Sequence, residues 1–428
     1  MASRNTNQYS NEIIVKLLLE NGACINLKND KGWDALLLSC RYSSSDSTFN
    51  TVKILIEYGA DIGSKNNLNQ NALMLCANNV KNDTNIETVK YLLEMNPNLD
   101  EVNIYNENII MRCARNTVYS SSIELLKILL NYKYNSSFID KYGNYILFNV
   151  LDSIGKYSDI ETLELLLKSN FDVNHKNEYG ISVFMHACSL YNNNINESVL
   201  KLLIDYGADI NAQNNYGYTV LMNSIEINIH LFKFLLEKKP DLSLLNYEGM
   251  NILMLCCDLS YKINMKEYIE LLLKFDINID SQDIYGWTAL MIVCRNCNLN
   301  NKEIAFMLYE KGTDCNLYTN DTLYNALMLL TEYNINQYEL AKLLRTKTNL
   351  SHRNINNKTI DKICKNEYLD LFVKKIEDLI SNYTVVKSEC IICVSENIDC
   401  IVCNYDHHTC LECMQKSNGK CEACQLFL

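Results

Sequence analysis

Residues 390–428 carry the densest chemistry in the chain. Eight of the nineteen cysteines fall between Cys390 and Cys424 as four Cys-x-x-Cys pairs, at 390/393, 400/403, 410/413 and 421/424. His407 and His408 stand between the second and third pairs. Two thiolates at this spacing bite one zinc ion from a tight turn, and tetrahedral Zn²⁺ takes two such pairs. Eight ligands therefore imply two ions. A segment this short buries little core, so metal would supply most of its folding energy. A disulfide frame would need an export route, and Met1 to Ser10 is polar, without the apolar core of a signal peptide.

No other cluster in the sequence promises catalysis. His175, His186, His230 and His352 stand apart from any Ser or Cys nucleophile signature. No phosphate loop, dinucleotide fingerprint or paired-carboxylate motif occurs. The chain has 428 residues, 48% apolar and 21% charged, with a formal net charge of −12. That apolar share excludes general disorder. The length exceeds what a single core of roughly 250–300 residues supports, so several domains or a repeat array are expected. The acidic balance argues against nucleic acid as a main partner. No run reaches the roughly 18 apolar residues of a membrane span. The expectation is a soluble cytoplasmic protein, with the nucleus left open because the basic residues are dispersed.

A repeat positions everything upstream of the cysteine cluster. An anchor follows each Leu-rich segment at Ile25, Ile62, Leu99, Ser136, Val173, Ile210, Leu242, Ile279, Cys315 and Leu350. The spacing is 37 residues five times, then 32, 37, 36 and 35. Gly22, Gly59, Gly207 and Gly312 each lie three residues before an anchor, where a helix would end in a left-handed cap. Gly32, Gly143, Gly180, Gly217, Gly249 and Gly286 open the units. Pro97 and Pro240 lie two residues before their anchors. Each unit reads as turn, short helix, polar loop and longer helix. The first helix opens with blocks such as Ala35-Leu36-Leu37 and Ala289-Leu290-Met291, and the second carries an i, i+3, i+4 stripe such as Val52, Leu55 and Ile56.

These units resemble ankyrin repeats over about residues 11–354. The family pattern is matched by Gly286-Trp-Thr-Ala-Leu-Met and by Leu202-Leu203 through Gly207-Ala-Asp-Ile-Asn211. The family's Pro becomes Ala, Val or Ile, and its His becomes Met at 74, 111, 185, 222, 254, 291 and 328. The Asn, Ile, Lys and Tyr bias resembles ankyrin arrays of large DNA viruses. The resemblance implies an all-α solenoid of about nine repeats, the first partial, spanning 1–354, with a non-enzymatic, protein-binding surface. Cys40, Cys188, Cys257 and Cys294 occupy the family's small-residue slot, and Cys76, Cys113 and Cys256 the slot beside it, so they read as buried filler. Residues flanking the turn glycine usually face partners in this family. Here they include Trp33, Tyr142, Tyr179, Tyr216, Tyr218, Tyr285 and Trp287. They suit either a protein-binding hot spot or packing of hairpin on hairpin.

The cysteine cluster, residues 390–428, resembles a RING-type zinc finger. The matching set is Cys390, Cys393, Cys403, His407, Cys410, Cys413, Cys421 and Cys424, spaced Cys-x2-Cys-x9-Cys-x3-His-x2-Cys-x2-Cys-x7-Cys-x2-Cys. The resemblance implies an interleaved cross-brace, with Cys390, Cys393, Cys410 and Cys413 on one zinc and Cys403, His407, Cys421 and Cys424 on the other. An all-cysteine variant would use Cys400 in place of His407, and His408 is a substitute for its neighbour. RING fingers act as E3 ubiquitin ligases that hold a ubiquitin-charged conjugating enzyme, and Ile391 matches the apolar residue that touches it. The family's common Pro after the seventh ligand is Glu422, and the Arg often found after the eighth is Gln425. A finger that only folds, dimerises or docks is the competing expectation. Between array and finger, residues 355–380 read as a helical capping unit with Ile360, Ile363, Leu369, Phe372 and Ile376 inside, and 381–389 as a linker.

Overall fold

The computed structural model describes residues 12–360 apart from 44–46, 78–82, 116, 118–119, 142, 144, 157, 194, 261–264, 297–298 and 334–336, together with 384–388, 398–402 and 408–410. Two units divide the chain, Met1–Ile252 and Leu253–Leu428. In the first, the helix Glu12–Glu20 precedes helix pairs such as Ala35–Arg41 with Phe49–Glu57 and Val183–Ser189 with Glu197–Asp205. In the second, Ala289–Arg295 pairs with Leu299–Glu310, and Ala326–Tyr333 with Tyr338–Lys347.

Except at Ile146–Ser153, which has no side-chain cap, local chemistry explains the start of a typical short helix. A side chain just before it accepts a backbone N–H three residues on: Asp34 from Leu37 at 2.8 Å, Asn71 from Met74 at 2.9 Å, Thr219 from Met222 at 3.3 Å and Thr288 from Met291 at 3.2 Å. Such caps contribute about 1 kcal/mol each and replace what the missing helix-start proline would give. The methionines in the family's His slot are buried, Met74, Met254 and Met291 among them. They fill core instead of bonding to the turn, a use that suits a flexible thioether.

Longer helices end in a left-handed residue, glycine at Gly22, Gly59, Gly207 and Gly312, and Asn96, Asn170 or Lys239 elsewhere. At Gly59 (φ +88°) the chain turns back, and the N–H of Ala60 reaches the Leu55 carbonyl at 2.9 Å. Val52 and Leu55 of the same helix are sealed into the core. The 32-residue spacing comes from a shorter loop between the helices: only 225–228 separates Val220–Ser224 from Ile229–Glu237, against 190–196 in the preceding pair.

Three strands follow in the second unit: β1 (Thr384–Ser388), β2 (Ile398–Val402) and β3 (His408–Cys410), antiparallel in the order β1-β2-β3. Val386 lies opposite Cys400 across β1 and β2, and Cys400 lies opposite Cys410 across β2 and β3. The stretch read as a linker thus contains a strand. Its β-branched Thr384, Val385 and Val386 favour extended backbone. The expected capping unit lies outside the described residues except for its start, where Ile360 is buried. No helix among the described residues is long and apolar enough to cross a membrane.

Candidate protein-binding surface and metal centre

The surface is built by the hairpin that opens each repeat, and each hairpin is tied by one side chain. Asn177 Oδ1 accepts the N–H of Tyr179 at 3.0 Å and of Ile181 at 3.1 Å. Asn214 does the same for Tyr216 and Tyr218 at 2.9 and 3.0 Å, and Asp283 for Tyr285 and Trp287 at 2.9 and 2.8 Å. A side-chain oxygen that bonds two and four residues onward closes the turn by itself. Burial pushes the Asp283 carboxyl above its ordinary range, while those backbone N–H groups pull it down. Asn29, Asn66, Asn103 and Asn246 hold the same place. They recur at the repeat period, a signal present in the sequence but not used above. Where the turn glycine is missing, Asn69, Asn106 and Asn357 adopt its left-handed conformation (φ 56°, 58° and 58°).

Neighbouring hairpins join through backbone. The Tyr179 carbonyl accepts the Asn215 N–H at 3.1 Å, Tyr216 that of Tyr247 at 3.1 Å, and Tyr285 that of Asn320 at 2.8 Å. Amide side chains add a second bond, Asn215 to the Glu178 carbonyl at 2.8 Å and Asn320 to that of Ile284 at 3.2 Å. The stacking is therefore done by main chain and asparagine, and the tyrosine rings are left over. Tyr179, Tyr216 and Tyr285 are 57, 66 and 59% exposed. Tyr247, at 72%, joins them, although the residue before its turn glycine is Glu248.

The residues after the glycine behave differently. Trp33, Tyr218 and Trp287 are half-buried. The Arg41 guanidinium lies 5.1 Å from the Trp33 ring centroid, and that of Arg295 lies 5.2 Å from Trp287, cation–π contacts that close each hairpin onto its own helix. In the repeat where Glu107 takes the tryptophan's place, a carboxylate answers the arginines. Glu107 accepts from Arg112 at 2.8 Å, Arg115 at 2.9 Å and Asn103 at 2.8 Å. Burial pulls Arg112 below its ordinary range, and nearby Arg115 adds to this while Glu107 opposes it. Tyr142 lies outside the described residues.

Residues 43–141, 151–246 and 226–321 each match the family of ankyrin repeats in three copies, which covers well over half of the chain. The chain belongs to the ankyrin-repeat family. An ankyrin repeat domain from Acinetobacter baumannii AYE, solved by crystallography, is similar at 21% identity over 46% of this chain and 93% of that one, with a TM-score of 0.39. No curated protein matches. Ankyrin repeats are protein-binding scaffolds, and this chain supplies such a scaffold.

Within the ankyrin units, Cys40, Cys76, Cys113, Cys188, Cys256, Cys257, Cys294 and Cys315 are buried, and Cys24 is exposed. Burial alone pushes the Cys113 thiol up to about 12, and a thiol hydrogen bond to Cys76, followed by burial, raises Cys40. Since the thiolate is the reactive form, native protein treated with iodoacetamide at pH 8 should carry label at Cys24 and none at these eight. Peptide mass spectrometry reads this directly, and label at Cys188 or Cys256 would contradict it.

Of the expected zinc ligands, Cys410 lies in β3, and Cys390, Cys393, Cys403, His407, Cys413, Cys421 and Cys424 fall outside the described residues, as does Ile391. Among the described residues no three His, Cys, Asp or Glu side chains converge on a metal position.

Proposed function

We propose that this ankyrin protein is a substrate-recruiting E3 ubiquitin ligase. The hairpin tips capture a protein, and residues 390–428 form a RING-like module with two structural zinc ions that recruits a ubiquitin-charged conjugating enzyme at Ile391. The observation that carries the capture half is the set of exposed tyrosines on hairpins whose stacking is already satisfied by backbone. Rigid aromatic side chains on fixed turns give large contact area at small entropic cost, the composition of binding hot spots. The ligase half is supported by the spacing of the cysteines and His407. Zinc would hold the module's fold and perform no chemistry. Ile391 would seat the conjugating enzyme, and the array would hold the substrate near the thioester, so that rate arises from proximity. The partners are thus two proteins, with no nucleic acid or membrane, and the finger is a candidate dimer contact.

One feature favours the competing reading of a non-catalytic scaffold. Glu422 and Gln425 stand where the family commonly has Pro and Arg.

An autoubiquitination assay with full-length protein and a panel of conjugating enzymes separates the two readings. Ubiquitin chains should form with the native protein, disappear with Cys390→Ser, and fall at least tenfold with Ile391→Ala while two zinc ions are retained. No chains from a protein that holds two zinc ions would leave the scaffold. For the capture half, the triple change Tyr179→Ala, Tyr216→Ala and Tyr285→Ala should weaken binding of a ubiquitinated substrate by at least a hundredfold with unchanged circular dichroism, and unaltered affinity would refute it.

A further inference from the structure

The exposed tyrosines Tyr179, Tyr216 and Tyr247 stand on successive hairpins of the first unit, at tips 178–180, 215–217 and 247–249. Each hairpin contributes two antiparallel backbone segments. The Asn177 N–H donates to the Ile181 carbonyl and the Asn214 N–H to the Tyr218 carbonyl, both at 3.0 Å. Paired extended segments lie about 4.8 Å apart, so the tips recur about every 9.6 Å. A polyproline II helix, with three residues per turn, has a pitch of about 9.3 Å. A chain in that conformation would turn the same face to each tyrosine in succession. Other ligand shapes fit less well. The Tyr179 and Tyr216 carbonyls already accept the N–H groups of Asn215 and Tyr247, so they are not open to an added β-strand. An α-helix returns to one face about every 5.4 Å. Every second turn of its apolar stripe would then fall on amides between the tyrosines, such as Asn215, whose Nδ2 donates to the Glu178 carbonyl at 2.8 Å.

The chemistry of the tips agrees with the pitch. The Tyr247 ring is laid against the backbone of Gly217, where an added Cβ would lie 2.9 Å from its Cδ1. A ring held by backbone, yet 72% exposed, is a preformed platform for a pyrrolidine ring. Tyrosine hydroxyls also supply donors for the carbonyls of a polyproline II chain, which has no internal hydrogen bonds. The charged residues of the three tips are Glu178 and Glu248, both exposed. The nearby Lys176 ammonium is turned to the Gln213 carbonyl at 2.9 Å. We propose that this ladder binds a proline-rich protein segment in the polyproline II conformation. Proline at every third residue meets the tyrosines, and Lys or Arg lies beside Glu178 and Glu248. The two intervals of the ladder span about 19 Å, so the contact takes about seven ligand residues. The inference rests on the capture half of the proposed function and names the class of segment captured.

Calorimetric titration of the full-length protein with three twelve-residue peptides tests this. One repeats Pro-Pro-Arg, one repeats Gly-Gly-Arg with the same charge and no polyproline II preference, and one repeats Pro-Pro-Glu. The Pro-Pro-Arg peptide should bind at least tenfold more tightly than either of the others. Tyr216→Ala and Tyr247→Ala should each weaken it at least tenfold with unchanged circular dichroism. Glu178→Gln with Glu248→Gln should weaken it at least threefold and lessen its dependence on salt. Equal binding of the two basic peptides would reduce the surface to charge and overturn the proposal, as would binding untouched by the tyrosine changes. A basic amphipathic helical peptide held more tightly through the same tyrosines would overturn it in favour of a helical ligand. If the triple tyrosine variant loses a ubiquitinated substrate while the native protein ignores the Pro-Pro-Arg peptide, this inference falls and the capture reading stands. If that variant keeps the substrate, both fall.

Discussion

Gly217→Ala should lower stability by about 3–5 kcal/mol, while Gly59→Ala should cost only about 1 kcal/mol. Both glycines have positive φ, +78° and +88°, so the left-handed penalty of about 1–2 kcal/mol is common to them. Their surroundings differ. A Cβ on Gly217 would lie 2.8 Å from the Tyr247 backbone nitrogen and 2.9 Å from the Asn246 Cα, whereas nothing lies within 4 Å of one on Gly59. The obstructing atoms belong to main chain of the next hairpin and cannot rotate away. Relief must come from moving that hairpin, which breaks the bond from the Tyr247 N–H to the Tyr216 carbonyl. Urea unfolding of the two variants measures the gap. Equal losses would mean that the hairpins tolerate separation and that their contact contributes little.

Glu107→Ala should cost about 3–5 kcal/mol, because it removes the carboxylate from a buried ion pair. The Glu107 and Arg112 side chains are 9 and 11% exposed and lie 2.8 Å apart. The cost is chiefly that of a buried charge deprived of this carboxylate. The double variant Glu107→Ala/Arg112→Leu should therefore be more stable than Glu107→Ala alone, an inversion that no sum of independent losses gives. Removing an exposed partner has no such consequence. Glu197 lies 3.0 Å from Lys201 with about half of each side chain in water, and Glu197→Ala should change stability by less than about 0.5 kcal/mol. Thermal melts of the four proteins decide the matter, and a double variant less stable than Glu107→Ala would refute the argument.

The helical array was legible because its signals are local and periodic. Leu-rich stripes, the glycines three residues before Ile62 and Ile210, and the short 32-residue unit each have one structural solution. Hairpin geometry was less legible. Trp287 and Tyr285 are both aromatic neighbours of Gly286, yet one is half-buried against Arg295 and the other is exposed. Asp283 closes that turn by bonding to both N–H groups, but which ring then meets Arg295 is a tertiary detail that residue type does not display. Tyr247 lies two residues before its turn glycine instead of one, so adjacency to glycine does not point to it. The C-terminal module shows the opposite limit. Cysteine spacing suggests a metal, but the antiparallel register that sets residue 400 opposite residue 410 is a non-local choice that spacing along the chain cannot express.

Asparagine also sets how this protein should age. Spontaneous deamidation converts an amide into a carboxylate, which keeps its oxygen acceptors and loses its N–H donors. At Asn214 the turn depends on Oδ1, and Asp283 already performs the same task as a carboxylate. At Asn215 and Asn320 the bond to the preceding hairpin comes from Nδ2, and deamidation replaces that attraction with repulsion between a carboxylate and a carbonyl. Old protein should keep its individual turns and lose cohesion between them. Asn215→Asp should reproduce the change as faster amide exchange at the hairpin pair, and Asn214→Asp should leave that exchange near its native rate.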